Sequence, residues 1–348
     1  MSHLRFARFA WIVLGFTVLV AVWGAVVRAT GSGAGCGNHW PLCNGEVLPR
    51  APAVETLIEL SHRVTSGLLG PLVVALAIWA WRRFGGRHRI ARAALAGLVL
   101  TVVEALIGAG LVRFDLVADD ASVARGLVMA AHLLNTFLLL AALALAAAWA
   151  SGWAAGPAGP RRPEPGARGG AARWLLAGGL AAVAVLGASG AVTALGDTLF
   201  PVAEMTDEAV AELPAAARLL VRLRVLHPFL AVGAAAYLIV MAVAVRALRP
   251  TARVNRLAWT LGALFTIELA AGLLNIALAA PVWLQLVHLA LAYLVWLTLV
   301  LLAAEALAEP EPAREPAASG EGSTEPAAAS LSSGGTADLP ATPTSLPP

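Results

Sequence analysis

The sequence predicts an all-α integral membrane protein: eight transmembrane helices forming two tandem four-helix bundles related by pseudo-two-fold symmetry. Three observations predict it. Of 348 residues, 59% are hydrophobic and only 13% are charged, against the ~25% charged residues of an ordinary soluble domain. Eight apolar runs are long enough to cross a hydrocarbon core, which takes about 20 residues of helix. A set of polar residues recurs between the two halves at a nearly constant offset. The composition excludes a soluble enzyme and a disordered chain, and two Cys exclude a disulfide-framed secreted domain.

Bounded by charge or by Pro and Gly, the runs are residues 9–28, 56–81, 92–112, 125–149, 174–195, 219–245, 257–279 and 282–305. The first reads as a retained helix. It is too long for the apolar core of a signal peptide, and Arg28 stands where a small-residue cleavage site belongs. Orientation follows from arginine, which supplies all 24 of the Lys and Arg residues. Arg5 and Arg8 precede the first span, and Arg82, Arg83, Arg87, Arg89 and Arg92 separate the second from the third. Arg161, Arg162, Arg168 and Arg173 follow the fourth, and Arg246, Arg249, Arg253 and Arg256 follow the sixth. The intervening loops hold Asp115, Asp119 and Asp120 in one case, and Asp197, Glu204, Asp207, Glu208 and Glu212 in another. The positive-inside rule therefore places both termini in the cytoplasm. Because the arginines lie in short runs between spans, the net charge of +3 points to membrane lipid as the surroundings and to no nucleic-acid partner.

Four segments follow: a four-helix half over 1–151, a Pro- and Gly-rich cytoplasmic linker over 152–173, a second half over 174–306, and a tail over 307–348. The tail is Pro, Ala, Ser, Glu and Gly with almost no large apolar residue, and is expected to be disordered.

The halves repeat. Ala25-Val-Val-Arg28-Ala-Thr-Gly31 corresponds to Gly190-Ala-Val-Thr193-Ala-Leu-Gly196, 165 positions later, and His62 corresponds to His227 at the same offset. Glu104…Gly108 corresponds to Glu268…Gly272 at 164, and His132 to His288 at 156. His62, His132, His227 and His288 thus fall one on each even-numbered span, roughly 10 Å below its start at 1.5 Å per residue. Ionisable groups within spans are costly and mark function. Two His at equal depth on parallel helices of a bundle can take a porphyrin between them as axial ligands. A lone intramembrane His is as readily a polar helix–helix contact, but four in a duplicated frame favour two bis-His haem sites. Zinc fits less well, because no H-E-x-x-H pattern is present. Small residues one turn on, Ser66, Thr136, Ala231 and Ala292, would leave room for a flat macrocycle.

Glu59, three residues before His62, shares its helix face and is either an acid–base group beside a haem or an interfacial carboxylate reaching water. Arg224 holds the matching position in the second half, so the acid exists in one half only. Glu104 and Glu268 read as bonds to neighbouring helices. Arg28, Arg63, Arg125, Arg222 and Arg224 crowd the helix ends nearest the His level, where guanidinium forks suit haem propionates and interfacial anchoring is the other explanation. Cys36 and Cys43 lie in the first outer loop, where a disulfide staple or a redox-active thiol pair is chemically possible.

The Arg28-Ala-Thr30-Gly31-Ser-Gly stretch, the loop Cys36…Trp40-Pro41-Leu-Cys43-Asn-Gly45 and the motif Glu59-Leu-Ser-His62-Arg63 together resemble the haem A synthase family. The resemblance runs from residue 1 to about residue 305 and is sharpest in the first half. It implies an oxidoreductase of the bacterial plasma membrane that converts the C8 methyl of haem O to a formyl group, giving haem A for terminal oxidases. It implies that His62 and His132 ligate the substrate or product haem, that His227 and His288 hold haem b, and that Glu59 is the catalytic acid. By the same resemblance Cys36 and Cys43 match a loop disulfide of one bacterial subgroup. Expected partners are the haem O synthase (protohaem farnesyltransferase) and an unidentified electron-transfer protein. The competing expectation is a non-catalytic dihaem b cytochrome relaying electrons, against which stand the one-sided Glu59 and the Cys loop.

Overall fold

The computed structural model describes residues 2–153, 167–201 and 206–308. Among them the regular elements are helices: α1 (Ser2–Ala29), α2 (Val54–Phe84), α3 (Arg89–Arg113), α4 (Val123–Ala150), α5 (Ala167–Leu199), α6 (Asp207–Glu212), α7 (Ala215–Leu248), α8 (Ala252–Ala277) and α9 (Val282–Ala306). All but α6 are long and apolar enough to cross a membrane, giving eight candidate spans among the described residues. Residues 154–166 of the expected linker, and residues 309–348 of the tail expected to be disordered, lie outside the described residues.

Several helices overrun their apolar runs, because backbone hydrogen bonding continues past the edge of the hydrocarbon while long Arg side chains bend toward water. α2 continues through Arg82 and Arg83 until Gly85, whose φ of 82° ends it. α5 starts at Ala167, within the stretch read as linker. Starts are capped in the usual way: the side chains of Ser122 and Thr251 accept from the N–H groups of Arg125 and Val254. Two details differ from expectation. The acidic loop carries the short α6, capped by Thr206 and too brief to show a period in the sequence. Asp197, read as a loop residue, lies in the last turns of α5, where Arg224 stands 3.5 Å away. That cation accommodates a carboxylate on a helix whose apolar run stops at 195.

Each half closes as a ring of four. α1 packs on α2, α2 on α3, α3 on α4, and α4 back on α1; likewise α5 on α7, α7 on α8, α8 on α9, and α9 back on α5. Each ring therefore sets two helices on a diagonal, α2 with α4 and α7 with α9. The rings meet mainly through α4 against α5 and α9. Lipid tails are as apolar as Leu, so helices in a bilayer associate through close packing and polar bonds. Both are present here. Ala142, Ala144, Ala146, Ala147 and Ala148 of α4 are buried, and Trp296 of α9 stacks on Phe137 at 4.7 Å while its Nε1 donates to the Phe137 carbonyl at 2.6 Å. Arg28, at the end of α1, also crosses to the second ring, donating to the Ala194 carbonyl (2.6 Å), Thr198 Oγ1 (2.5 Å) and Gln285 Oε1 (3.0 Å).

Candidate functional site

The diagonal helices carry the four histidines. His227 on α7 and His288 on α9 stand with ring centroids 6.4 Å apart and planes at 87°. A transition metal binds imidazole nitrogen at about 2.0–2.1 Å, so an ion between two imidazoles sets their centroids roughly 6.3 Å apart. The centroid separation of His227 and His288 matches that distance. In the first ring, His62 on α2 and His132 on α4 hold the corresponding diagonal positions. All four imidazoles are half-buried.

Their Nδ1 atoms differ in support. His132 Nδ1 lies 3.1 Å from Glu104 Oε1 of α3, and His288 Nδ1 lies 3.2 Å from Glu268 Oε2 of α8. Both approaches are oblique, outside strict hydrogen-bond alignment. His227 Nδ1 is 2.9 Å from Ser189 Oγ of α5. His62 Nδ1 is buried and has no hydrogen-bond partner among the described residues. Glu104 also accepts from Asn135 Nδ2 and Thr136 Oγ1. The two glutamates do bridge helices, as their repetition predicts; that they address histidines is not visible in spacing along one chain. The recurrence of Glu and His together in each half was the available signal.

The room beside the rings comes from glycines on neighbouring helices, not only from the small residues one turn on. A Cβ at Gly24 of α1, Gly190 of α5 or Gly272 of α8 would stand 3.1, 3.1 or 3.2 Å from Cε1 of His62, His227 or His288 respectively. Each of these imidazoles therefore rests edge-on over bare backbone. Thr136, one of the four small residues, instead bonds Glu104 and the His132 carbonyl.

Glu59 is 4% exposed and does not reach water. It accepts the Cys36 N–H at 2.8 Å and pairs with Arg63 one turn on. Arg63 in turn donates to the carbonyls of His39 (2.5 Å) and Leu42 (2.6 Å). Cys36 and Cys43 are joined by a disulfide, so the Glu59–Arg63 pair grips the stapled loop from α2. Gly35 allows the close approach, since a Cβ there would lie 2.5 Å from the Glu55 backbone. The other arginines also address protein oxygens: Arg125 donates to the Ala118 (2.6 Å) and Asp120 (2.9 Å) carbonyls, and Arg224 to that of Phe200 (2.9 Å). Arg222 is exposed.

The family profile described as cytochrome oxidase assembly protein, COX15-CtaA, matches residues 7–300, across both rings. The chain belongs to this family. Among relatives, a protein of Thermus thermophilus named "Protoheme IX farnesyltransferase" is 51% identical over 283 residues, 81% of this chain and 45% of that protein. "Heme A synthase" of Alkalihalophilus pseudofirmus is 44% identical over 112 residues, 32% of this chain and 38% of the relative. "Heme A synthase" of Halalkalibacterium halodurans is 45% identical over 127 residues, covering 36% and 42%. The chain thus aligns with less than half the length of each of these relatives. The COX15-CtaA membership agrees with the resemblance carried by the first-half motifs.

Proposed function

We propose that this chain is a haem A synthase of the bacterial plasma membrane, oxidising the C8 methyl of haem O to a formyl group. The observation that carries the reading is the 6.4 Å separation of His227 and His288, the span of a bis-imidazole iron site. The repeat supports a second such site at His62 and His132. In this reading the two rings are the two halves of a pseudo-symmetric duplication: the first receives haem O and the second retains haem b. Both termini face the cytoplasm, and the Cys36–Cys43 loop lies outside.

The residues fit the group. Each ring offers two imidazoles on its diagonal helices, and Gly24, Gly190 and Gly272 keep backbone, not side chain, at the edges of three of them. Bound haem b supplies one-electron redox chemistry. The chain binds and orients the macrocycle and, at Glu59 Oε1 and Oε2, holds a carboxylate one helical turn from His62 to carry a proton at the substrate rim. Arg63 and the Cys36 N–H fix that carboxylate in place.

The Thermus relative bears on the source of substrate. More than half of that protein lies outside the aligned part, and its name is that of a farnesyltransferase. In this reading a farnesyltransferase of the kind named there supplies the haem O that this chain oxidises.

Purification from membranes followed by pigment extraction tests the proposal. Haem b together with haem O or haem A is the expected content. A colourless protein removes the haem reading; haem b in both rings favours the dihaem relay. Gly272→Val adds a local test. Its branched side chain would occupy the space at His288 Cε1, and overpacking of this kind costs about 1–3 kcal/mol. Haem b per protein should fall about tenfold, measured by pyridine haemochrome, with the amount of protein in the membrane unchanged.

A further inference from the structure

We propose that Glu104, Glu268 and Ser189 are positioning residues that fix the tautomer of three imidazoles, and that His62, lacking such a partner, is the exchangeable axial ligand. This rests on the haem reading above.

A neutral imidazole carries its proton on one nitrogen only, and the partner of one nitrogen decides what the other offers a metal. A carboxylate at Nδ1 selects the Nδ1–H tautomer and leaves the Nε2 lone pair bare. Glu104 stands in this place for His132 and Glu268 for His288, at 3.1 and 3.2 Å, within ion-pair distance though outside hydrogen-bond alignment. Ser189 reaches the same result with a neutral group. Its single hydroxyl proton is donated to the Leu186 carbonyl at 2.7 Å, so toward His227 Nδ1, 2.9 Å away, Oγ serves as acceptor. Three rings in two halves therefore present Nε2.

The buried Nδ1 of His62 lacks an aligned hydrogen bond, as those of His132 and His288 do, but among the described residues no carboxylate stands at ion-pair distance from it as Glu104 and Glu268 do from theirs. The position 165 before Ser189 is Gly24, which packs on the His62 ring and has no hydroxyl to offer. The first ring thus pairs a firmly held ligand with a loosely held one. Glu104 is itself locked by Asn135 and Thr136, whereas the positions matching them in the second half are Leu291 and Ala292. A site that must admit one macrocycle and release another is served by this combination: His132 keeps hold while His62 lets go. A resident cofactor is served by His227 and His288, both anchored.

The test uses full-length protein with its natural pigments. Glu268→Gln keeps an oxygen acceptor but removes the charge: haem b should stay bound, with a midpoint potential shifted to more positive values because a less electron-rich imidazole stabilises ferric iron less. Glu268→Leu should weaken haem b retention about 10- to 100-fold, as loss of such partners typically does. Glu104→Gln should move the first-ring potential in the same sense. A helix-bridging role alone would leave the potentials of the Gln variants where they were, and that result overturns the positioning role. Carbon monoxide added to reduced protein should bind the first-ring haem and not the second, and Ser189→Ala should raise second-ring reactivity. Equal binding in both rings of the unmodified protein overturns the assignment of His62. Both outcomes are read on pigmented protein, so they are distinct from failure of the haem reading, in which the unmodified protein has no Soret band.

Discussion

His227→Ala is expected to give a protein that inserts and folds but carries no haem b in its second ring. The argument is one of geometry. The two imidazoles stand 6.4 Å apart; in the proposed reading they would share one iron, and removal of one would leave it a single protein ligand beside a cavity lined by Gly190. The cost to the helix is small. Ala is the best helix former, the ring is half-buried, and Ser189 keeps its bond to the Leu186 carbonyl. The lost hydrogen bond at Nδ1 is worth about 0.5–1.5 kcal/mol, far below what would unfold a bundle tied to its neighbour by Trp296 and Arg28. The haem b to protein ratio should therefore fall from about one to near zero, while first-ring pigment persists. Free imidazole at millimolar concentration should restore part of the loss, since the vacated space has the shape of the missing ring. Full haem b retention in the variant would remove His227 from the ligand set.

The expected loss depends on a feature legible in the sequence, and other parts of the site were not. The eight spans were readable because hydropathy over 20 residues is set by bilayer thickness, which acts on each helix separately. One His on every second span was readable for the same reason, since depth along a helix is a matter of counting. Which way a side chain points around a helix, and which other helix it meets, depends on packing. Hence Glu104 and Glu268 read as helix bridges, while their contacts with His132 and His288 emerge only when α3 meets α4 and α8 meets α9. Arg28 read as an anchor or a propionate contact, yet its donors cross to Ala194, Thr198 and Gln285, residues more than 160 positions away. Asp197 read as loop because its charge ended the apolar run; Arg224, on another helix, makes its place in α5 tolerable. In each case the missing information is the partner supplied by a different helix.

Glu59 shows how two roles of one residue are separated. Its carboxylate accepts the Cys36 N–H and faces Arg63, which also holds the His39 and Leu42 carbonyls; as proposed, it also carries a proton to or from the substrate. Glu59→Ala removes both. Breaking a buried pair by deleting one partner costs about 3–5 kcal/mol. Here the figure lies toward the lower end, because Arg63 is 12% exposed and retains two carbonyl partners. The stapled loop should loosen, and the Cys36–Cys43 disulfide, both of whose cysteines are now buried, should become reducible by added thiol. Glu59→Gln keeps an oxygen for the Cys36 N–H, so the loop and disulfide should stay protected, but an amide transfers no proton. General acid–base groups contribute about 10²–10⁴-fold, so conversion of haem O to haem A, followed by chromatography of extracted haems, should drop at least ~100-fold in both variants with haem b retained. The pair of results decides the matter. A Gln variant that makes haem A at the unmodified rate, beside an Ala variant that does not, makes Glu59 a strut for the loop. A Gln variant that stalls with its disulfide protected makes the carboxylate part of the chemistry.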